Sequence, residues 1–110
     1  MPTIGLIGLG NAGRPIGERI LARGYTLTVY DLNPATMENM VRRGARGAAS
    51  AKEVVSDITL TVLPSSIEVR QAVFGEAGAF EAIQPDMTFI DLSGTDPDCA
   101  RELQSGLDLK

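Results

Sequence analysis

The chain has 110 residues, 44% hydrophobic and 22% charged, with one cysteine, no histidine and a formal net charge of −4. That composition suits one globular domain with a real core. It excludes a disulfide framework, leaves too few ligands for a zinc site and removes the histidine that serine-type triads need. The charge is unevenly divided: seven Lys/Arg stand against four Asp/Glu through residue 55, and three against ten after it. An anionic ligand therefore belongs with the first half. Nucleic acid, which calls for clustered cations, is not an expected partner. No apolar run approaches spanning length, and Thr3 to Leu9 lacks the basic lead-in of a signal peptide. No membrane association is expected, and the cytoplasm is the expected compartment.

In chain order, Thr3 to Ile7 is a short apolar run that stops at glycines and reads as a buried strand. Asn11 to Arg23 reads as a helix, with Ile16, Ile20 and Leu21 inward, Arg14, Glu18, Arg19 and Arg23 outward, and Gly24 closing it. Thr26 to Tyr30, β-branched and aromatic, is a second strand. Asn33-Pro34 opens a second helix through Met37, Met40 and Val41, whose methionines read as core, and Gly44 ends it. Arg46–Gly47 is a weak third strand, and Ser50 is placed to cap a short helix through Val54 and Val55. Ile58 to Leu63 is the clearest strand, stopped by Pro64. Ser65 or Ser66 caps a helix carrying Val69, Ala72, Val73 and Phe74, and Gly75 and Gly78 mark turns. Met87 to Leu92 is a further strand, and Pro97 opens a last helix through Ala100 and Leu103. Cys99 on that helix reads as an inert buried side chain. Asp86, Asp91, Asp96 and Asp98 read as solvated caps rather than a cation site, so no metal is expected.

This alternation predicts an α/β fold: a Rossmann-like, doubly wound parallel sheet with helices on both faces and strand order 3-2-1-4-5. Gly8-Leu9-Gly10-Asn11-Ala12-Gly13 fits G-x-G-x-x-G and lies between a predicted strand and a predicted helix, the context that gives the pattern meaning. Gly8 permits a tight turn, Gly10 lets a pyrophosphate approach the backbone, and Gly13 and Gly17 let helix and strand pack closely. The amides and dipole at the helix start favour an anion, and Arg14 adds charge nearby. The second predicted strand ends at Asp31, where a carboxylate can accept hydrogen bonds from an adenosine ribose. The same residue also suits a plain helix cap, and Leu63-Pro64 a plain strand terminator.

The residues resemble the N-terminal domain of the β-hydroxyacid dehydrogenase family, which includes 3-hydroxyisobutyrate dehydrogenases, tartronate semialdehyde reductases and 6-phosphogluconate dehydrogenases. The run from Ile7 to Ile16 is similar to the family's GLGxMGxPM, with Ala12 in place of methionine. Val29 to Pro34, then Gly44-Ala45, Ala51, Asp57 and Leu63-Pro64, and finally Ile90 to Pro97, similar to IDxSTxxP, follow in the family's order. The resemblance implies a cofactor-binding set of Gly8, Leu9, Gly10, Asn11, Ala12, Gly13, Asp31, Leu32, Asn33, Leu63, Pro64, Ser93 and Gly94. Leu9 to Ala12 would line the pyrophosphate, Asp31 would hold the ribose, and Leu63 and Pro64 would contact the adenosine or nicotinamide side. Gly94 stands where the family carries a hydroxyl, so Ser93 or Thr95 would have to supply one. NAD is the implied cofactor and NADP is disfavoured, because Leu32 follows Asp31 where NADP-using relatives have arginine.

The implied reaction is hydride transfer between NAD and a small β-hydroxyacid or its semialdehyde. Residues 1–110 would be the dinucleotide-binding domain alone, without the helical domain that carries the family's catalytic lysine and forms its homo-oligomer. Lys52 and Lys110 match no such position, no catalytic residue is assigned in this chain, and cofactor binding without turnover is expected. The alternatives are a non-catalytic nucleotide-sensing module and a fragment too incomplete to bind.

Overall fold

The computed structural model describes residues 1–110. Strands β1 (Ile4–Ile7), β2 (Leu27–Tyr30), β3 (Arg46–Gly47), β4 (Ile58–Thr61) and β5 (Thr88–Asp91) alternate with helices α1 (Gly13–Ala22), α2 (Pro34–Arg42), α3 (Ser66–Phe74) and α4 (Pro97–Asp108). The sheet runs β3-β2-β1-β4-β5 with every pairing parallel, the order the sequence predicts. Parallel strands need crossovers, and the crossover helices put apolar cover on both faces. Leu6, Leu27, Val29 and Leu60 meet Met40 of α2 and the half-buried Ile16 and Ile20 of α1 on one face. Ile7, Val54 and Ile83 lie on the other, continuous with the Val69, Val73, Cys99 and Leu103 cluster between α3 and α4. A Cβ at Gly17 would stand 2.8 Å from the Met40 side chain and 3.1 Å from Leu6, so the missing side chain sets how near α1 lies to the sheet.

Local differences from the sequence reading have local causes. The segment after Ser50 is one turn of 3-10 helix, Lys52–Val54, with no side-chain cap, and Glu53 reaches back to accept from the Ala49 amide at 2.8 Å. Ser65 occupies the α3 N-cap, but its hydroxyl pairs with the Glu68 carboxylate rather than with a backbone amide. β4 stops at Thr61, before Pro64, although the Val62 amide still donates to Ile7 O at 2.9 Å. A 3-10 turn at Ala79–Glu81 is an element that the sequence pattern did not reveal. At the β5 edge, Ile90 pairs with Leu60 in register yet is 40% exposed, and Leu92 is 52% exposed. The sheet face bearing α1 and α2 is thus uncovered at that end.

Candidate cofactor site

The carboxyl ends of the parallel strands meet along one edge, where ligands of such sheets sit. There β1 runs into the glycine turn. Gly8 has φ +105, and a Cβ on it would lie 2.1 Å from Val62 O; a Cβ on Gly13 would lie 1.9 Å from Gly8 O. Gly10 differs: a Cβ there would meet nothing within 4 Å, so its missing side chain serves no internal packing. The amides of Gly10, Asn11, Ala12 and Gly13 donate to no protein acceptor. Four successive open donors at the start of α1 make an anion-binding edge. Arg14 is exposed beside them and forms no ion pair.

Asp31 joins this turn to the next strand. Its Oδ2 accepts from the Leu9 amide at 2.7 Å and its Oδ1 from the Asn33 amide at 2.8 Å. Asn33 caps α2, its side chain accepting from the Ala35 amide at 2.9 Å. Both bonds to Asp31 come from backbone amides, so the carboxylate is fixed in the lining of a cleft of about 550 Å³, within the usual size of a small-molecule site. Leu63 and Pro64 line the cleft with Asp31 and Leu32, and Leu32 is 83% exposed. The charged residues that line it are Asp31, Glu68 and Glu76, all acidic.

The structure thus brings Asp31, Leu32, Leu63 and Pro64 into one cleft, with Gly8 to Gly13 attached through the Leu9–Asp31 bond. Ser93 and Gly94 stand outside the cleft lining. Ser93 Oγ accepts from the Leu63 amide at 2.8 Å and donates to Thr61 O at 3.1 Å. The Thr95 hydroxyl donates to Asp91 Oδ2 at 2.9 Å. Both hydroxyls that could replace the one missing at Gly94 are therefore engaged internally.

Asp91 corrects its reading as a solvated cap. It is half-buried and accepts from Thr61 Oγ1 at 2.8 Å, the Ser93 amide at 3.0 Å and Thr95 Oγ1. Burial pushes its carboxyl up, but the bonds from Ser93, Thr61 and Thr95 outweigh that and hold it below the usual carboxylate range. Asp96 does cap α4: the Cys99 amide donates to it at 2.7 Å and is the main cause of its lowered pKa. Cys99 is buried, as expected. Glu68 and Glu76 join the cleft lining without being among the residues the sequence pattern points to. For Glu68 the signal was present, since Ser65-Ser66-Ile67-Glu68 has the capping-box spacing that puts the glutamate in the first turn of α3.

The profile of the family described as the NAD binding domain of 6-phosphogluconate dehydrogenase matches residues 3–110. The chain belongs to this family. A probable mitochondrial 3-hydroxyisobutyrate dehydrogenase of Dictyostelium discoideum is 36% identical over 105 residues, 94% of this chain and 33% of the relative. The 3-sulfolactaldehyde reductase of Escherichia coli is 35% identical over 99 residues, 88% of this chain and 33% of the relative. The solved structure of Mycobacterium tuberculosis 3-hydroxyisobutyrate dehydrogenase with L-serine superposes with a TM-score of 0.90 at 29% identity, over 99% of this chain and 37% of that one. This NAD-binding domain therefore spans about a third of the length of the relatives it matches.

The site fits a dinucleotide on its own geometry. Open amides suit a pyrophosphate, the space over Gly10 allows its approach, and an anchored carboxylate stands beside an apolar-walled cleft. No group of three or more His, Cys, Asp or Glu is arranged to hold a metal ion, and no helix is long and apolar enough to cross a membrane.

Proposed function

We propose that this domain binds NAD along the carboxyl edge of its sheet, with Gly8 to Gly13 on the pyrophosphate, Asp31 on the adenosine ribose, and Leu32, Asn33, Leu63 and Pro64 on the adenosine side. Ser93 and Gly94 belong to the nicotinamide side in this reading, contributing backbone rather than a hydroxyl. The observation that carries the proposal is Asp31: its carboxylate is tied by Leu9 to the turn with open amides and lines a cleft whose charged residues are all acidic. A 2′-phosphate would stand beside that carboxylate without a cation. Two like charges about 4 Å apart near a surface repel by roughly 4 kcal/mol before screening. Selection of NAD over NADP by at least about tenfold requires only about 1.4 kcal/mol of this.

The chemistry NAD supplies is reversible hydride transfer to or from a small β-hydroxyacid or its semialdehyde. In this reading residues 1–110 are the dinucleotide-binding domain, and the other two-thirds of the relatives' length supplies the substrate-facing helical domain, the proton-handling lysine and the oligomer contact. The uncovered Ile90 and Leu92 support a further body on that face. The chain has no histidine, and Lys110 lies over the Phe80 ring, 4.6 Å from its centroid, so binding without turnover is expected. A single buried cysteine accords with a cytoplasmic setting. Calorimetric titration with both cofactors tests the reading: saturable NAD binding lost in Gly10→Asp supports it, and equal or tighter NADP binding refutes it.

A further inference from the structure

We propose that Asp91 is a positioning residue of the cofactor site, holding Ser93 and, through Ser93, the Leu63–Pro64 wall of the cleft. The proposal rests on the reading of that cleft as the adenosine side. One oxygen of Asp91 takes both Thr61 Oγ1 and the Ser93 amide, and the other takes Thr95 Oγ1, so the turn after β5 is gathered onto a single carboxylate. The Ser93 hydroxyl is thereby set between the strands, accepting from the Leu63 amide at 2.8 Å and donating to Thr61 O at 3.1 Å. β4 has already ended at Thr61, so Leu63 has left the ladder and its amide has Ser93 as its acceptor. A buried or half-buried amide is costly to leave unpaired, and Leu63 and Pro64 line the same cleft as Asp31 and Leu32. Asp91 does not line the cleft and acts on it only through Ser93 and Leu63.

The test combines NAD titration at low temperature with amide hydrogen exchange of Leu63, on variants shown by circular dichroism to be folded. Asp91→Ala and Ser93→Ala each weaken NAD binding by at least about tenfold and speed Leu63 exchange by a similar factor. The double variant binds no worse than about twofold below the weaker single variant, because both act on one amide. Asp91→Asn recovers affinity to within about threefold of wild type, its oxygen still accepting from Thr61 and Ser93 and its NH2 donating to Thr95. If Asp91→Ala does not fold, Ser93→Ala decides by the same thresholds. Folded variants within about twofold of wild type, or weaker binding with Leu63 exchange unchanged, overturn the positioning role. A wild-type chain that binds no NAD overturns the cleft reading and this proposal together.

Discussion

At the carboxyl end of β1, the four amides from Gly10 to Gly13 have no acceptor within the protein. Two strands away, beyond β5, the side chains of Asp91, Ser93 and Thr95 are all bonded to one another or to β4. One region is shaped by missing side chains and leaves its polar groups open; the other is shaped by side chains and closes its polar groups on itself. The open edge can meet a ligand's charge directly, whereas the closed edge serves by holding the chain in place. The same sheet edge thus divides the tasks of contact and support between its two ends.

The comparison breaks most visibly at Gly13. Its Cβ position lies 1.9 Å from Gly8 O, so Gly13→Ala must displace backbone, with an expected loss of about 3 kcal/mol in urea denaturation. A loss under about 1 kcal/mol would show that the turn yields easily. Gly10 sharpens the contrast, because its Cβ position is open. Gly10→Ala should keep stability within about 0.5 kcal/mol of wild type while weakening NAD binding by at least about tenfold, or about 1.4 kcal/mol. Equal stability losses at the two positions would erase the distinction between packing and ligand-facing glycines.

At the closed end, Thr61 is fully buried and donates to Asp91 at 2.8 Å. Thr61→Val removes that donor, with an expected cost of about 1 kcal/mol at neutral pH. The folded-state pKa of Asp91 is depressed, so its contribution is present above the unfolded value of about 3.9 and lost as pH falls through the folded value. Stability should therefore drop below about pH 4, and Asp91→Asn should flatten that drop. Asp96, depressed mainly by the Cys99 amide, adds an acid-sensitive step in the same direction. An acid profile identical in Asp91→Asn and wild type would contradict the network. The smallest effect is expected outside both regions: Arg42 and Glu38 pair 2.5 Å apart but are 72% and 64% exposed, so Arg42→Ala should shift stability by no more than about 0.5 kcal/mol.

The two regions also differed in how far the sequence disclosed them. The glycine turn was legible because its steric requirements are written as absent side chains, and Gly8, Gly13 and Gly17 each occupy a place where a Cβ has no room. Strand order followed from alternation and handedness, down to the two-residue β3. The Asp91 turn was not legible. Ile90-Asp91-Leu92-Ser93-Gly94-Thr95 contains ordinary polar residues, and nothing in their order says that one carboxylate gathers three donors and leaves Ser93 facing Leu63, thirty positions away. Long-range hydrogen bonds depend on which strands become neighbours, and a local pattern does not carry that. The place of Glu68 in the first turn of α3 was legible, but that Glu68 and Glu76 line the same cleft as Tyr30 and Asp31 was not, since residues so far apart in the chain meet only in the folded domain.

The central claim, that the open amides of the glycine turn receive the cofactor's pyrophosphate, is tested most directly by amide chemical-shift mapping of the 15N-labelled chain during NAD titration. The largest shifts should fall on Gly10 to Gly13, with Leu9, Leu32 and Leu63 following and with Glu18 of α1 and Arg43 at the end of α2, which pair with each other, unmoved. Saturable NAD binding that leaves Gly10 to Gly13 unshifted would contradict the account.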